Sequence, residues 1–411
     1  MQHEVDSPYA ARRLVITLAL MSMGGCGMYV VAVVLPAVQA EFGVARADAS
    51  LPYTLTMIGF GVGGILMGRL ADRFGVMVPL LIGAVSLGLG FVIAGMATSI
   101  WMFAIAHGVL IGFFGSAATF APLIADTSLW FKRRRGIAVA ICASGNYLAG
   151  AIWPPIVQHF VETIGWRATY IGLGIFCFVA MTGLALLMRP RPPAAQAHVV
   201  DSASATMSNR PFGLTPRAAQ RWLCVAGLAC CVAMSMPQVH IVAYCADLGF
   251  GPARGAQMLS LMLAFGIVSR LTFGVICDHI GGLRTLLLAS SLQTIALMLF
   301  LPFDGLVSLY VISALFGLFQ GGIVPAYAII VREYFSPAEA GARVGTVLMF
   351  TMLGMALGGW MSGKIFDLTG SYHAAFLNGI AWNLLNFAIV GVLLWRVMRP
   401  PTGMRPAAAT A

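Results

Sequence analysis

The amino-acid sequence predicts an all-α membrane protein, with twelve transmembrane helices in two six-helix halves. Three observations lead there. The 411 residues are 60% hydrophobic and only 9% charged, where a soluble domain is nearer 25% charged, so the bilayer must be the solvent for most of the chain. The apolar residues gather into twelve separate runs. The basic residues alternate with those runs in a pattern that sets an orientation.

The runs lie at 14–36, 51–69, 78–97, 101–124, 136–159, 168–188, 222–246, 256–277, 285–302, 306–330, 342–365 and 374–396. Most hold about 18 to 25 residues, enough to cross some 30 Å of hydrocarbon as a helix. The first ends in "VVAVVLPAVQAEFG", which has no small-residue cleavage site, and reads as a helix rather than a removable signal. In the fourth and tenth, Gly112, Gly115, Gly317, Gly321 and Gly322 would let neighbouring helices approach closely. The fifth contains "SGNYLAGAIWPP", with Gly145 and Gly150, and its Pro154–Pro155 pair is expected to bend the helix.

Placing the N-terminus inside puts 19 of the 24 lysines and arginines on inside segments, among them Arg69, Arg73, Lys132 to Arg135, Arg191, Arg210, Arg284, Arg399 and Arg405. Arg46, Arg167, Arg254 and Lys364 fall outside, and Arg270 lies within a run. The bias predicts both termini in the cytoplasm, with the chain spanning a bacterial inner membrane. It also accounts for the net charge of +10 without nucleic acid. All eight cysteines fall within runs, without metal-ligand spacing, and Cys230–Cys231 reads as two small buried thiols. With no nucleophile triad, phosphate loop or metal set, an enzyme is not expected, nor a cofactor.

An internal repeat divides the chain. "GRLADRFG" at 68–75 and "GVICDHIGG" at 274–282 are offset by 206 residues; Phe131 and Phe335 by 204; Gly165 and Gly370 by 205. Residues 1–188 and 222–411 are thus expected as parallel halves, joined by a polar cytoplasmic linker at 189–221. Two such halves holding substrate between them is a transporter architecture, here expected to work as a monomer.

"GRLADRFG" resembles the signature of the major facilitator superfamily between helices 2 and 3, and "GVICDHIGG" is its weaker counterpart between helices 8 and 9. The basic pair that usually follows the motif is replaced by Val76–Met77. The motif residues Gly68, Asp72, Arg73 and Gly75, with Asp278 in the second copy, are gating candidates. Gly68 and Gly75 permit close packing and a tight turn. Asp72 could sit against the positive N-terminal end of helix 11 and latch the cytoplasmic side, or it could be a solvated loop carboxylate.

Arg270 is the one arginine in "AFGIVSRLTFGVICDHIGG". A guanidinium at helix centre costs about 2.5–3.5 kcal/mol on insertion scales, and its fork suits a carboxylate. A buried acid partner is the alternative, but the runs hold almost none: Asp126, Glu162 and Asp367 stand near run ends. The repeat counterparts of Arg270 and His240 are Gly64 and Val34, so neither residue is needed to build a half.

"MPQVHIVAYCADLGF" with "SRLTFGVICDHIGG" resembles the bacterial monocarboxylate-transporter-like branch. That resemblance implies a histidine in helix 7, here His240, and a substrate-binding arginine in helix 8, here Arg270, with small lactate- or pyruvate-like monocarboxylates carried alongside protons. Animal members have a carboxylate where Leu259 stands and a lysine in helix 1 that is absent here. His240 is left as the candidate proton carrier, its pKa near 6.5 allowing exchange near neutrality, although it could merely pack helix 7. At 1.5 Å per residue it lies roughly 14 Å from Arg270 across the membrane. Tyr327, Ser116, Thr119, Tyr29 and Asn146 are further candidates for the substrate site. Anion exchange of the oxalate–formate kind, drug efflux and a non-transporting sensor are the other functions considered. His107 and His159 read as peripheral.

Overall fold

The computed structural model describes residues 5–131, 133, 135–190 and 211–398. Among them are twelve helices long and apolar enough to cross a membrane. They are α1 (Pro8–Phe42), α2 (Arg46–Phe74), α3 (Met77–Gly95), α4 (Ile100–Trp130), α5 (Arg135–Ile164), α6 (Trp166–Leu187), α7 (Pro216–Asp247), α8 (Pro252–Ile280), α9 (Gly282–Leu299), α10 (Leu306–Tyr334), α11 (Pro337–Thr369) and α12 (Tyr372–Met398). Every expected run is found, and most helices extend past the apolar stretch. Ser7 accepts from the Ala10 amide ahead of Pro8, and Thr215 from the Ala218 amide ahead of Pro216. Helix α7 therefore begins inside the segment expected as linker. Residues 191–210 of that segment, with Arg191 and Arg210, lie outside the described residues, as do Lys132, Arg134, Arg399 and Arg405.

An even number of crossings brings both ends of the bundle to one side, the terminal face. The repeat is visible in the backbone. Gly75 ends α2 at φ 85°, ψ 164°, and Gly281 ends α8 at φ 80°, ψ 164°. A side chain is strained in that region, so the two motif copies need glycine there. Helices α1 and α7 form the centre, with every residue of 24–35 and 229–245 buried.

Small residues set the helix spacing. A methyl group on Gly59 would lie 2.2 Å from the Gly108 carbonyl oxygen, and one on Gly317 only 1.9 Å from that of Met262. The chain breaks differently from expectation. Helix α5 runs unbroken through Pro154 and Pro155. It is α4 that changes winding, with a π-helical stretch at Ala106–Gly115 and a 3₁₀ turn at Ser116–Thr119. Helix α10 is interrupted at Gly321–Gly322. The two irregularities occupy matching positions in the halves, as expected where discontinuous helices surround a transport site.

Candidate functional site

The halves meet along two seams. In the first, α2 faces α11. At the face opposite the termini, the amides of Arg46 and Ala47 each donate to the Asp367 carboxylate at 2.8 Å. Asp367 thus caps the N-terminus of α2 from across the molecule. The Arg46 guanidinium donates to Tyr372 Oη at 2.8 Å and pairs with Asp247 at 3.2 Å. Further along, Thr54 donates to the Ala356 carbonyl, Tyr53 packs on Gly359, and Gly61 approaches Met349 and Met352. Gly64 and Gly68 continue the Gly61 stripe of α2, and Gly345 and Gly341 continue the Met349 stripe of α11. A methyl group on any of these four would meet nothing within 4 Å. The seam is joined at the opposite face and parted toward the termini.

The second seam joins α5 to α8. Ser260 donates to the Ala151 carbonyl, Gly150 receives Leu263, and Gly266 receives the Tyr147 ring. The last contact is Arg270, whose Nη1 donates to the Ala143 carbonyl at 2.8 Å. Gly274, one turn on, again has nothing near it. Arg270 therefore stands where the two halves part.

Its guanidinium lies over the Tyr147 ring, 4.2 Å from the centroid. Its Nε is buried without a partner, and among the described residues it forms no ion pair. The three acids near the run ends are committed elsewhere. Asp126 takes a bidentate pair from Arg13 at 2.9 and 3.0 Å, Asp367 caps α2, and Glu162 accepts from Gln158. A half-buried cation with one carbonyl, one ring face and an idle Nε–Nη2 edge can receive a carboxylate through two parallel donors. Tyr29 packs against Gly150 and lies within electrostatic reach of both Arg270 and Tyr147. Asn146 rests against Gly25 of α1.

The other predicted residues are placed elsewhere. His240 is fully buried at the opposite-face closure, with Nε2 2.8 Å from the Gly359 carbonyl and Nδ1 3.1 Å from Tyr372 Oη. Tyr327 is buried in the C-terminal half and spends its hydroxyl on Asn386 Oδ1 at 2.8 Å. Ser116 donates to the Gly24 carbonyl, tying α4 to α1, and Thr119 donates to the Ser116 carbonyl within α4. Asp72 is exposed and makes no hydrogen bond or ion pair with the described residues; Arg73 lies over the Phe74 ring, and Asp278 is exposed. His107 is not peripheral: it is fully buried among Phe91, Phe103 and Tyr170, with Nε2 3.2 Å from the Tyr170 hydroxyl.

Sequence reasoning missed Tyr147 and the Arg46–Asp367–Tyr372 bridge. Tyr147 follows Asn146 in the quoted "SGNYLAGAIWPP", and a tyrosine among small residues was the available signal. Nothing local marks Arg46 and Asp367 as partners 321 positions apart.

Two six-helix halves, sealed at one face and parted at the other around an unpaired cation, define a membrane transporter. The Major Facilitator Superfamily family model matches residues 16–311 and 284–410, and the chain belongs to that superfamily. It is 27% identical over 347 residues to monocarboxylate transporter 13 of Rattus norvegicus, covering 80% of this chain and 75% of that one. It is 26% identical over 293 residues to the MFS-type transporter opdF of Penicillium oxalicum, covering 70% and 66%. The fold is similar to the solved nucleoside transporter NupG, with TM-score 0.71, 15% identity and coverage of 92% and 99%. A bacterial homolog of the human lysosomal transporter Spinster, solved inward-facing and occupied, gives TM-score 0.69 at 15% identity, covering 95% and 97%.

Proposed function

We propose that this transporter moves a small organic monocarboxylate, lactate- or pyruvate-like, together with a proton by alternating access. Arg270 is the carboxylate anchor, and its solitary charge at the parting of α5 and α8 is the observation that carries the proposal. An empty guanidinium resists passage through a closed, dry interface, and a bound carboxylate removes that penalty. A single cation suits one carboxylate better than two. The two monocarboxylate-transporter segments around His240 and Arg270 and the resemblance to monocarboxylate transporter 13 support the same substrate class.

The terminal face is the cytoplasmic one in this proposal, from the excess of lysine and arginine there, and the membrane is a bacterial inner membrane. Residues 1–188 and 222–411 rock as two bodies within one monomer. Asp72 latches the terminal face in the alternate state, when α2 and α11 close there. Protons enter through His240, which is set apart from the anchor.

Binding of a ligand panel to the purified protein tests the substrate class. Calorimetry should detect lactate-like monocarboxylates and neither oxalate nor nucleosides. Binding of oxalate or of hydrophobic amines in their place would overturn it.

A further inference from the structure

We infer that His240 is a proton-operated latch of the opposite-face gate, which closes over the neutral imidazole and is released by a proton on Nδ1. The gate is built of groups whose hydrogen-bond directions are fixed by chemistry. A carbonyl oxygen only accepts, so the 2.8 Å contact with Gly359 places a proton on His240 Nε2. A guanidinium only donates, so Tyr372 Oη accepts from Arg46 at 2.8 Å. The single phenolic proton is then free for His240 Nδ1 at 3.1 Å, which must be bare to receive it. The chain from Arg46 through Tyr372 and His240 to Gly359 is complete with one protonation state of the imidazole.

A second proton on the ring breaks that chain. Nδ1–H would then compete with Arg46 for the same phenolic oxygen, two cations converging on one acceptor, and the phenolic proton would lose its acceptor. Arg46 is the only member from the N-terminal half; His240, Gly359 and Tyr372 all belong to the C-terminal half. Loosening the Tyr372–Arg46 bond therefore loosens the joint between halves. The charged groups facing the imidazole are Arg46 and Asp367, with Asp247 paired to Arg46 behind them. Tyr244, on α7, stacks edge-on against Tyr372. The two carboxylates also titrate in acid, so they must be separated from the histidine in any test.

The latch rests on the alternating-access part of the proposed function, and it gives the proton a place in the cycle that requires no contact with Arg270. A proton from the opposite face opens the gate, the anion reaches Arg270 through the opened seam, and reclosure requires the imidazole to surrender its proton toward the cleft.

Spin labels at Thr163→Cys and Leu368→Cys, both exposed at the opposite face and one in each half, would report the gate by distance measurements. The eight native cysteines are all buried. Substrate is left out, so the result does not depend on what Arg270 binds. From about pH 8 to about pH 5, the range over which an imidazole titrates, the long-distance population should rise several-fold. His240→Gln supplies an amide donor for Gly359 and an acceptor for Tyr372 but cannot titrate; it should stay closed throughout. Tyr372→Phe keeps the ring packing and should open partly at all pH values, with a flattened response. Asp367→Asn weakens the cap on α2 and Asp247→Asn the Arg46 pair, so each should raise the open population at high pH while a further rise on acidification persists. An unchanged pH response in His240→Gln, which leaves both carboxylates in place, would overturn the latch.

Discussion

Replacing Arg270 by alanine removes the proposed anchor and should leave the helix intact. The residue contacts its surroundings through one carbonyl bond to Ala143 and the Tyr147 ring, and the remainder of α8 is held by apolar and small-residue packing. The idle Nε–Nη2 edge can give a bound carboxylate two charge-assisted hydrogen bonds, each contributing about 1.5–3 kcal/mol. Losing both costs about 3–6 kcal/mol, or roughly a hundred- to ten-thousand-fold in affinity. Arg270→Lys keeps the charge but not the parallel pair, and should lose roughly ten- to a hundred-fold. Calorimetric titration of lactate into the purified variants, with thermal unfolding as a control for folding, measures both. Affinities within about threefold of wild type, less than one hydrogen bond is worth, would remove Arg270 from the substrate site.

Tyr147→Leu deletes the ring beneath Arg270 and should weaken carboxylate binding roughly two- to thirty-fold, a cation–π contact being worth about 0.5–2 kcal/mol, whereas Tyr147→Phe should bind nearly as wild type; equal losses in both would point to the hydroxyl instead. Asp126→Asn breaks a pair only 3% and 7% exposed, and should cost about 3–5 kcal/mol of stability, read as a lower unfolding temperature. Asp72→Asn should raise thiol labelling of Gly64→Cys, a position with open space around it, because the terminal face would lose its latch. Unchanged labelling returns Asp72 to a solvated loop carboxylate.

The helices could be read from the sequence because length and hydropathy are local properties, and membrane crossing depends on little else. The runs fell short at the ends for the same reason: hydropathy sees the apolar middle of α11 from 342, while the helix begins at Pro337. The repeat offset was also readable, because Gly75 and Gly281 meet the same backbone demand. Arg270 stood out because a lone charge in an apolar run is costly wherever its helix packs. The partners of a side chain were a different matter. Arg13 gave no local sign that Asp126 would stand beside it, nor His240 that Gly359 and Tyr372 would lie at its two nitrogens. Which helices adjoin, and at what height, is set by glycine contacts spread over the whole bundle. Tyr327 likewise gave no local sign that Asn386 would claim its hydroxyl.

The most direct measurement is uptake of labelled lactate into proteoliposomes with an acid exterior and an alkaline interior. Lactate should accumulate above its external concentration, the accumulation should collapse on adding a protonophore, and Arg270→Ala vesicles should show none. Failure of any monocarboxylate to accumulate, or accumulation that persists undiminished without the pH gradient, would contradict proton-coupled carboxylate transport.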